Sequence, residues 1–210
     1  MNQLERLKEG KLVAVIRGAQ PEQVIPIARA LQEGGIVSLE ITADTPKVCS
    51  VIEGVKEAFG DDIIVGAGTV LDSETARAVI MAGAEFIFSP TVNVETIKMA
   101  KRYGVISIPG ALTPTEILTA YEHGADLIKV FPAGAMGAGY FKDLKGPLPH
   151  IPLMPTGGIT LDNIGDYFKA GAAAAGLGSA LVNPVKLQTE ESYKELTKMA
   201  QAFSELAAGW

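Results

Sequence analysis

Cysteine is nearly absent from this chain of 210 residues. Cys49 stands alone, which excludes an intrachain disulfide and any thiolate-built metal cluster. Histidine is almost as scarce: His123 and His150 lie far apart without a neighbouring carboxylate pattern, so no metal site is expected. Positive charge is short as well, with 18 Lys and Arg against 24 Asp and Glu. A net charge of −6 argues against a nucleic-acid partner, which needs clustered cations, and against an anionic membrane surface. No run of about 18 apolar residues occurs, and residues 1–11 hold no stretch of signal-peptide length. A soluble, cytoplasmic protein is the expectation. What the chain does have is apolar content: 48% hydrophobic against 20% charged residues excludes a disordered chain and suffices for a sizeable core.

Short, nearly continuous apolar runs recur at Leu12–Ile16, Ile36–Ile41, Ile63–Val65, Glu85–Phe88, Val105–Ile108, Leu127–Phe131, Ile151–Met154 and Ala172–Leu177. Runs of this kind read as parallel strands buried on both faces. Between them lie segments of helical spacing, such as Val24, Ile27, Ala28 and Leu31. Gly35, Gly83, Gly104, Gly124 and Gly171 each follow such a segment, where a left-handed helix cap places glycine. Thr113-Pro114-Thr115-Glu116 has capping-box spacing with Pro at the first helical position, and Asp72 and Asn93 suit further N-caps. The alternation predicts an α/β chain, a (β/α)8 TIM barrel in a single domain over 1–210, with a short N-terminal helix over Asn2–Gly10 closing its base. A doubly wound sheet would prefer a glycine-rich dinucleotide loop, and Arg17-Gly18-Ala19-Gln20-Pro21 is not one.

Chemistry in such a barrel sits at the C-terminal ends of strands, so charges within or just after apolar runs stand out. There are three: Arg17, Glu40 and Lys129. Alternation puts Lys129 on one face with Leu127 and Phe131, and Glu40 on one face with Ser38 and Thr42, both toward the interior. A lysine confined there loses basicity by desolvation, and a neutral amine can attack a ketone to form a Schiff base. A nearby carboxylate can shuttle the protons. A structural Lys–Glu pair inside the barrel is the alternative that the pattern leaves open. Two glycine-rich segments, Pro155-Thr156-Gly157-Gly158-Ile159 and Gly176-Leu177-Gly178-Ser179-Ala180, follow the last two strands. Backbone N–H groups there, helped by the N-terminus of a following short helix, suit a phosphate, so a phosphorylated small metabolite is the expected ligand.

The ordered set Ala14-Val15-Ile16-Arg17-Gly18, Leu39-Glu40-Ile41-Thr42, Gly66-Ala67-Gly68-Thr69-Val70, Phe88-Ser89-Pro90, Ile108-Pro109-Gly110, Ile128-Lys129-Val130-Phe131-Pro132 and Pro155-Thr156-Gly157-Gly158-Ile159 resembles the bacterial 2-dehydro-3-deoxy-6-phosphogluconate (KDPG) and 4-hydroxy-2-oxoglutarate (KHG) aldolases. The resemblance runs in register from Leu12 to Val182. It implies a class I aldolase without metal or cofactor, a homotrimer that releases pyruvate and glyceraldehyde 3-phosphate. By motif, Lys129 becomes the Schiff-base lysine and Glu40 the proton shuttle. Thr69 and Pro90 contact the pyruvate portion and Phe131 packs beside the imine. Arg17 lies near the substrate carboxylate. Gly157, Gly158 and Ser179, with Thr156 and Gly178 in the same loops, hold the phosphate. Two departures bear on substrate preference: the Gly134–Gly139 segment is rich in glycine and alanine, and Asp44 stands where one branch carries a substrate-binding arginine. An acid cannot hold a carboxylate, so Asp44 receives no substrate role and Arg17 carries that expectation. The phosphogalactonate homologue, a phosphosugar isomerase and a non-catalytic phosphometabolite-binding barrel are the competing readings.

Overall fold

The computed structural model describes residues 2–210. Strands and helices alternate in chain order: α1 (Gln3–Gly10), β1 (Leu12–Ile16), α2 (Pro21–Glu33), β2 (Ser38–Thr42), α3 (Val48–Phe59), β3 (Ile64–Gly68), α4 (Ser73–Met81), β4 (Phe86–Phe88) and α5 (Val94–Arg102). Then come β5 (Ile106–Ile108), β6 (Gly110–Ala111), α6 (Pro114–Glu122), β7 (Ile128–Val130), α7 (Ala133–Lys145), β8 (Leu153–Pro155), α8 (Ile164–Lys169), β9 (Ala175–Leu177) and α9 (Glu190–Ala208). All strand pairs are parallel, in a six-stranded sheet ordered β5-β4-β3-β2-β1-β9 and a three-stranded sheet ordered β6-β7-β8. The fold is therefore α/β, with the larger sheet curled as a half-barrel. Pro109 separates β5 from β6, and an isolated parallel bridge joins Thr156 to Gly176 beyond the end of β8.

Seven strands begin later than their apolar runs, and in three of them, β2, β5 and β9, the first residue of the run closes the preceding helix instead. After Gly35, Gly83, Gly104, Gly124 and Gly171, all at positive φ, the next residue turns its N–H back onto the helix it has just left. Ile36 donates to Leu31, Ala84 to Val79, Val105 to Ala100, Ala125 to Ala120 and Ala172 to Tyr167. These bonds close the helix C-termini as Schellman-type caps, and Ile36, Val105 and Ala172 are thereby left outside the ladder. The expected N-caps are in place: Asp72, Asn93 and Thr113 accept from the backbone of Thr75, Thr96 and Glu116, and Glu116 completes the capping box.

Two apolar layers follow from strand alternation. Leu39, Ile41, Val65, Ala67, Ile87, Ile128, Val130 and Leu153 point outward against the helices. Val13, Ile64, Phe86, Phe88, Ile106, Ile108, Leu127 and Met154, drawn from both sheets, form a second cluster with Leu7 of α1. So the N-terminal helix seals one end of the inner layer, as expected. The long α9 packs on α2, where Gly34 lets the helices meet: a Cβ there would lie 2.4 Å from that of Ala200.

Inner positions are tight enough to require glycine. A Cβ on Gly66 would fall 2.3 Å from the Phe86 ring. Replacing Gly66 with Ala should cost about 1–3 kcal/mol of stability through overpacking. Urea denaturation measures this, and a wild-type midpoint would contradict the inner-face packing.

Candidate active site

Glu40 lies in the middle of β2, which is buried along its whole length, and its side chain is 1% exposed. Gly68 on the neighbouring β3 makes the space for it: a Cβ there would come 1.6 Å from Glu40 Oε1. Its other carboxyl oxygen, Oε2, is buried without a hydrogen-bond partner. Burial pushes the Glu40 pKa from 4.5 up to about 7, against the pull of Lys129 and Arg17 and with a further push from Asp44.

Lys129 is the central residue of β7, paired with Gly110 on one side and Met154 on the other, and is 6% exposed. Its ammonium sits over two aromatic faces, 4.3 Å from the Phe88 ring centre and 4.7 Å from that of Phe131. Burial lowers its pKa, Glu40 partly restores it, and Arg17 lowers it further. Among the described residues, the ion pairs within 4.0 Å do not include one between Lys129 and Glu40. The two sense each other's charge without a closed salt bridge, so the direct structural pair left open by the sequence is absent. Glu40 is thus held where a proton can be given or taken at neutral pH, and Lys129 is moved away from full basicity.

Arg17 follows β1 directly and is half exposed. One arm of its guanidinium donates to the Thr69 hydroxyl, and the other reaches Asp44 at 3.5 Å. Thr69 takes a left-handed backbone, φ 56°, just past β3. The Thr42 hydroxyl, whose bond in the structure goes to the Ile16 carbonyl at 3.4 Å, lies near enough to Asp44 to be the main influence holding that carboxyl below its usual range. The sequence did not anticipate this pairing of Arg17 with Asp44.

Pro90, Phe131, Gly178 and Ser179, also expected from the sequence, divide between two cavities. Pro90 and Phe131 line one of about 320 Å³ with Gly110 and Leu112. Arg17, Gly178 and Ser179 line another of about 380 Å³ with Val15 and Asn183. Thr156, Gly157 and Gly158 line neither; Gly157 abuts the Phe131 ring and Gly158 abuts Gly134. The Thr156 hydroxyl is buried without a partner, facing Gly176 across the bridge. Gly157 and Gly158 both have positive φ, as a tight turn of approachable N–H groups requires. After β9 a single turn comes first, and the expected short helix follows as a three-residue 3-10 helix, Pro184–Lys186. The Leu181 and Val182 N–H groups close the turn on the Gly178 carbonyl, 2.9 and 3.0 Å away. Asn183 then stands at the N-cap of that helix and Pro184 at its first position, where its missing N–H is not needed. His123 caps α6 with Nδ1 2.7 Å from the Thr119 carbonyl, and His150 stacks edgewise on Tyr121.

The chain matches the family described as KDPG and KHG aldolase over residues 4–199. It belongs to that family. A 2-dehydro-3-deoxy-6-phosphogalactonate aldolase of Escherichia coli is 36% identical over 193 residues, 91% of this chain and 92% of that one. A 2-dehydro-3-deoxy-phosphogluconate aldolase of Pseudomonas aeruginosa is 37% identical over 161 residues, 76% of this chain and 73% of its own. Among solved structures, a KDPG aldolase from Legionella pneumophila with pyruvate captured as a covalent carbinolamine is 30% identical, with a TM-score of 0.81. That match covers 99% of this chain and 98% of the Legionella chain. The protein is thus related to carbon–carbon lyases of the aldolase type.

Three contributors to the site escaped the sequence reading: Phe88 under the Lys129 amine, Gly68 beside Glu40, and Asp44 on Arg17. The signal for Gly68 was present in Gly66-Ala67-Gly68, two glycines on one face of a strand.

The Glu40 carboxyl should titrate with a midpoint of about 7 in a carbon-13 NMR or carboxyl-infrared titration, and the signal should vanish in Glu40→Gln. Because its folded pKa is raised above 4.5, this group's contribution is fully kept below pH 4.5 and is lost as pH rises through about 7. Wild-type stability should therefore fall between pH 5 and 8 relative to that of Glu40→Gln. A midpoint near 4.5 would show that burial does not control this group.

Proposed function

We propose that the protein is a class I, Schiff-base aldolase. It reversibly cleaves 2-dehydro-3-deoxy-6-phosphogluconate to pyruvate and D-glyceraldehyde 3-phosphate, and 4-hydroxy-2-oxoglutarate to pyruvate and glyoxylate. The observation that carries this reading is the buried Lys129 amine, kept from full basicity over two aromatic rings and coupled to a carboxylate poised near neutrality. Family membership and the covalent pyruvate adduct of the Legionella relative support it. A second reading, the galactonate-series substrate, is favoured by the name of the Escherichia coli relative. The two series differ in C4 configuration, so cleavage rates on the two epimers decide between them.

In this mechanism neutral Lys129 adds through Nζ to the C2 ketone of the 2-oxo acid, giving a carbinolamine. Protonated Glu40 then donates its proton to the departing hydroxyl, which leaves as water, and a protonated imine forms. Glu40, now a carboxylate, takes the proton of the C4 hydroxyl. The C3–C4 bond breaks, its electron pair enters the C2–C3 bond as the imine becomes an enamine, and the aldehyde departs. Protonation of the enamine at C3 and hydrolysis of the imine free pyruvate and Lys129. Arg17 and Thr69 orient the carboxylate, Pro90 and Phe131 flank the pyruvate portion, and Thr156, Gly157, Gly158, Gly178 and Ser179 receive the phosphate. No metal or cofactor enters the scheme.

The same reading takes the two sheets as one closed (β/α)8 barrel in a single domain. In its favour, the chain runs directly from β5 through Pro109 into β6, and the Thr156–Gly176 bridge links β8 toward β9. The homotrimer rests on the family resemblance, and a cytoplasmic location fits a chain whose one cysteine is free.

Borohydride reduction in the presence of pyruvate, followed by intact-mass measurement and peptide mapping, should place one pyruvyl adduct on Lys129. Lys129→Ala should lose the adduct and about 10³-fold or more of the cleavage rate while remaining folded. Glu40→Gln should lose about 10²–10⁴-fold. Near wild-type cleavage by Lys129→Ala would overturn the assignment.

A further inference from the structure

The mouth of the site contains an acid that the mechanism does not use. Asp44 reaches the same guanidinium that is to hold the substrate carboxylate, with its Oδ2 3.5 Å from Arg17 Nη1, while Thr69 occupies the other arm. The contact is long and both partners are more than half exposed, so it is a weak pair that a better-placed anion displaces. Asp44 nevertheless stays ionised after displacement. Its carboxyl is held below the usual range first by the Thr42 hydroxyl, and only to a smaller extent by Arg17. An incoming carboxylate thus meets a fixed negative neighbour at the cation it needs.

We propose that Asp44 is a specificity-determining residue, an internal competitor for Arg17 that weakens the hold of the site on the carboxylate of 2-oxo acids and bears much less on ketones without that carboxylate. This rests on the Schiff-base reading above, since Lys129 is the reporter of ketone binding. Asp44 itself takes no part in bond making; it acts through Arg17 as a positioning and screening group. Its effect is electrostatic at an exposed site, so it must shrink as ionic strength rises.

The test compares borohydride trapping of the full chain on two ketones, pyruvate and hydroxyacetone, in the wild type and Asp44→Asn. The asparagine keeps the size and a hydrogen-bonding oxygen but removes the charge. Half-saturating pyruvate should fall about threefold to tenfold in Asp44→Asn at low salt, with the gap narrowing at high salt. Half-saturating hydroxyacetone, which senses Asp44 only through its small push on Glu40, should change much less than that of pyruvate. Unchanged or weaker pyruvate binding in Asp44→Asn, or an equal change for both ketones, would overturn the proposal and leave Asp44 as a structural anchor of Arg17. If wild-type Lys129 forms no adduct with either ketone, the Schiff-base reading itself fails and the proposal falls with it.

Discussion

The dominant constraint in this protein is that a lysine and a glutamate project from apolar strands into a space whose dryness opposes the charge of each. Desolvation moves the two groups toward each other's range, raising Glu40 and lowering Lys129, while their mutual attraction opposes both shifts. A closed salt bridge would have ended the competition in favour of two fixed charges. Instead the amine rests on the faces of Phe88 and Phe131, which soften its charge without donating or accepting a proton. Neither ring fixes the amine in its charged form as a carboxylate contact would.

Space for that arrangement comes from glycine more than from any polar partner. Gly68 leaves room for the Glu40 carboxyl, Gly66 for the Phe86 ring, Gly176 for Thr156, and Gly110 for the Pro90 backbone. Each inner glycine stands beside a larger side chain or a close backbone on a neighbouring segment, so the inner layer fills by pairing large groups with none. The outer layer needs no such device, because branched aliphatic residues there meet helices of conventional spacing.

Much of this was legible in the amino-acid order. Charges inside apolar runs marked Glu40 and Lys129, and period-two alternation put both on the inner faces where they are found. Turn chemistry marked the helix ends, since positive φ after a helix narrows the choice of residue. Strand starts were misplaced because an apolar residue reads the same whether its N–H joins a ladder or closes a cap, as Ile36 and Ala172 do. The turn after β9 and the pairing of Arg17 with Asp44 were equally hidden. Both depend on loops whose course is set by contacts distant in sequence.

The inner layer has one further meaning. Its lower part is apolar and covered by Leu7, Glu40 and Lys129 stand midway along their strands, and the two cavities involve the strands' C-terminal ends and the loops beyond them. Both cavities therefore lie away from the end that the N-terminal helix covers. One end of the strand layers serves closure and the other access, so a change at Leu7 bears on the first and a change in the loops on the second.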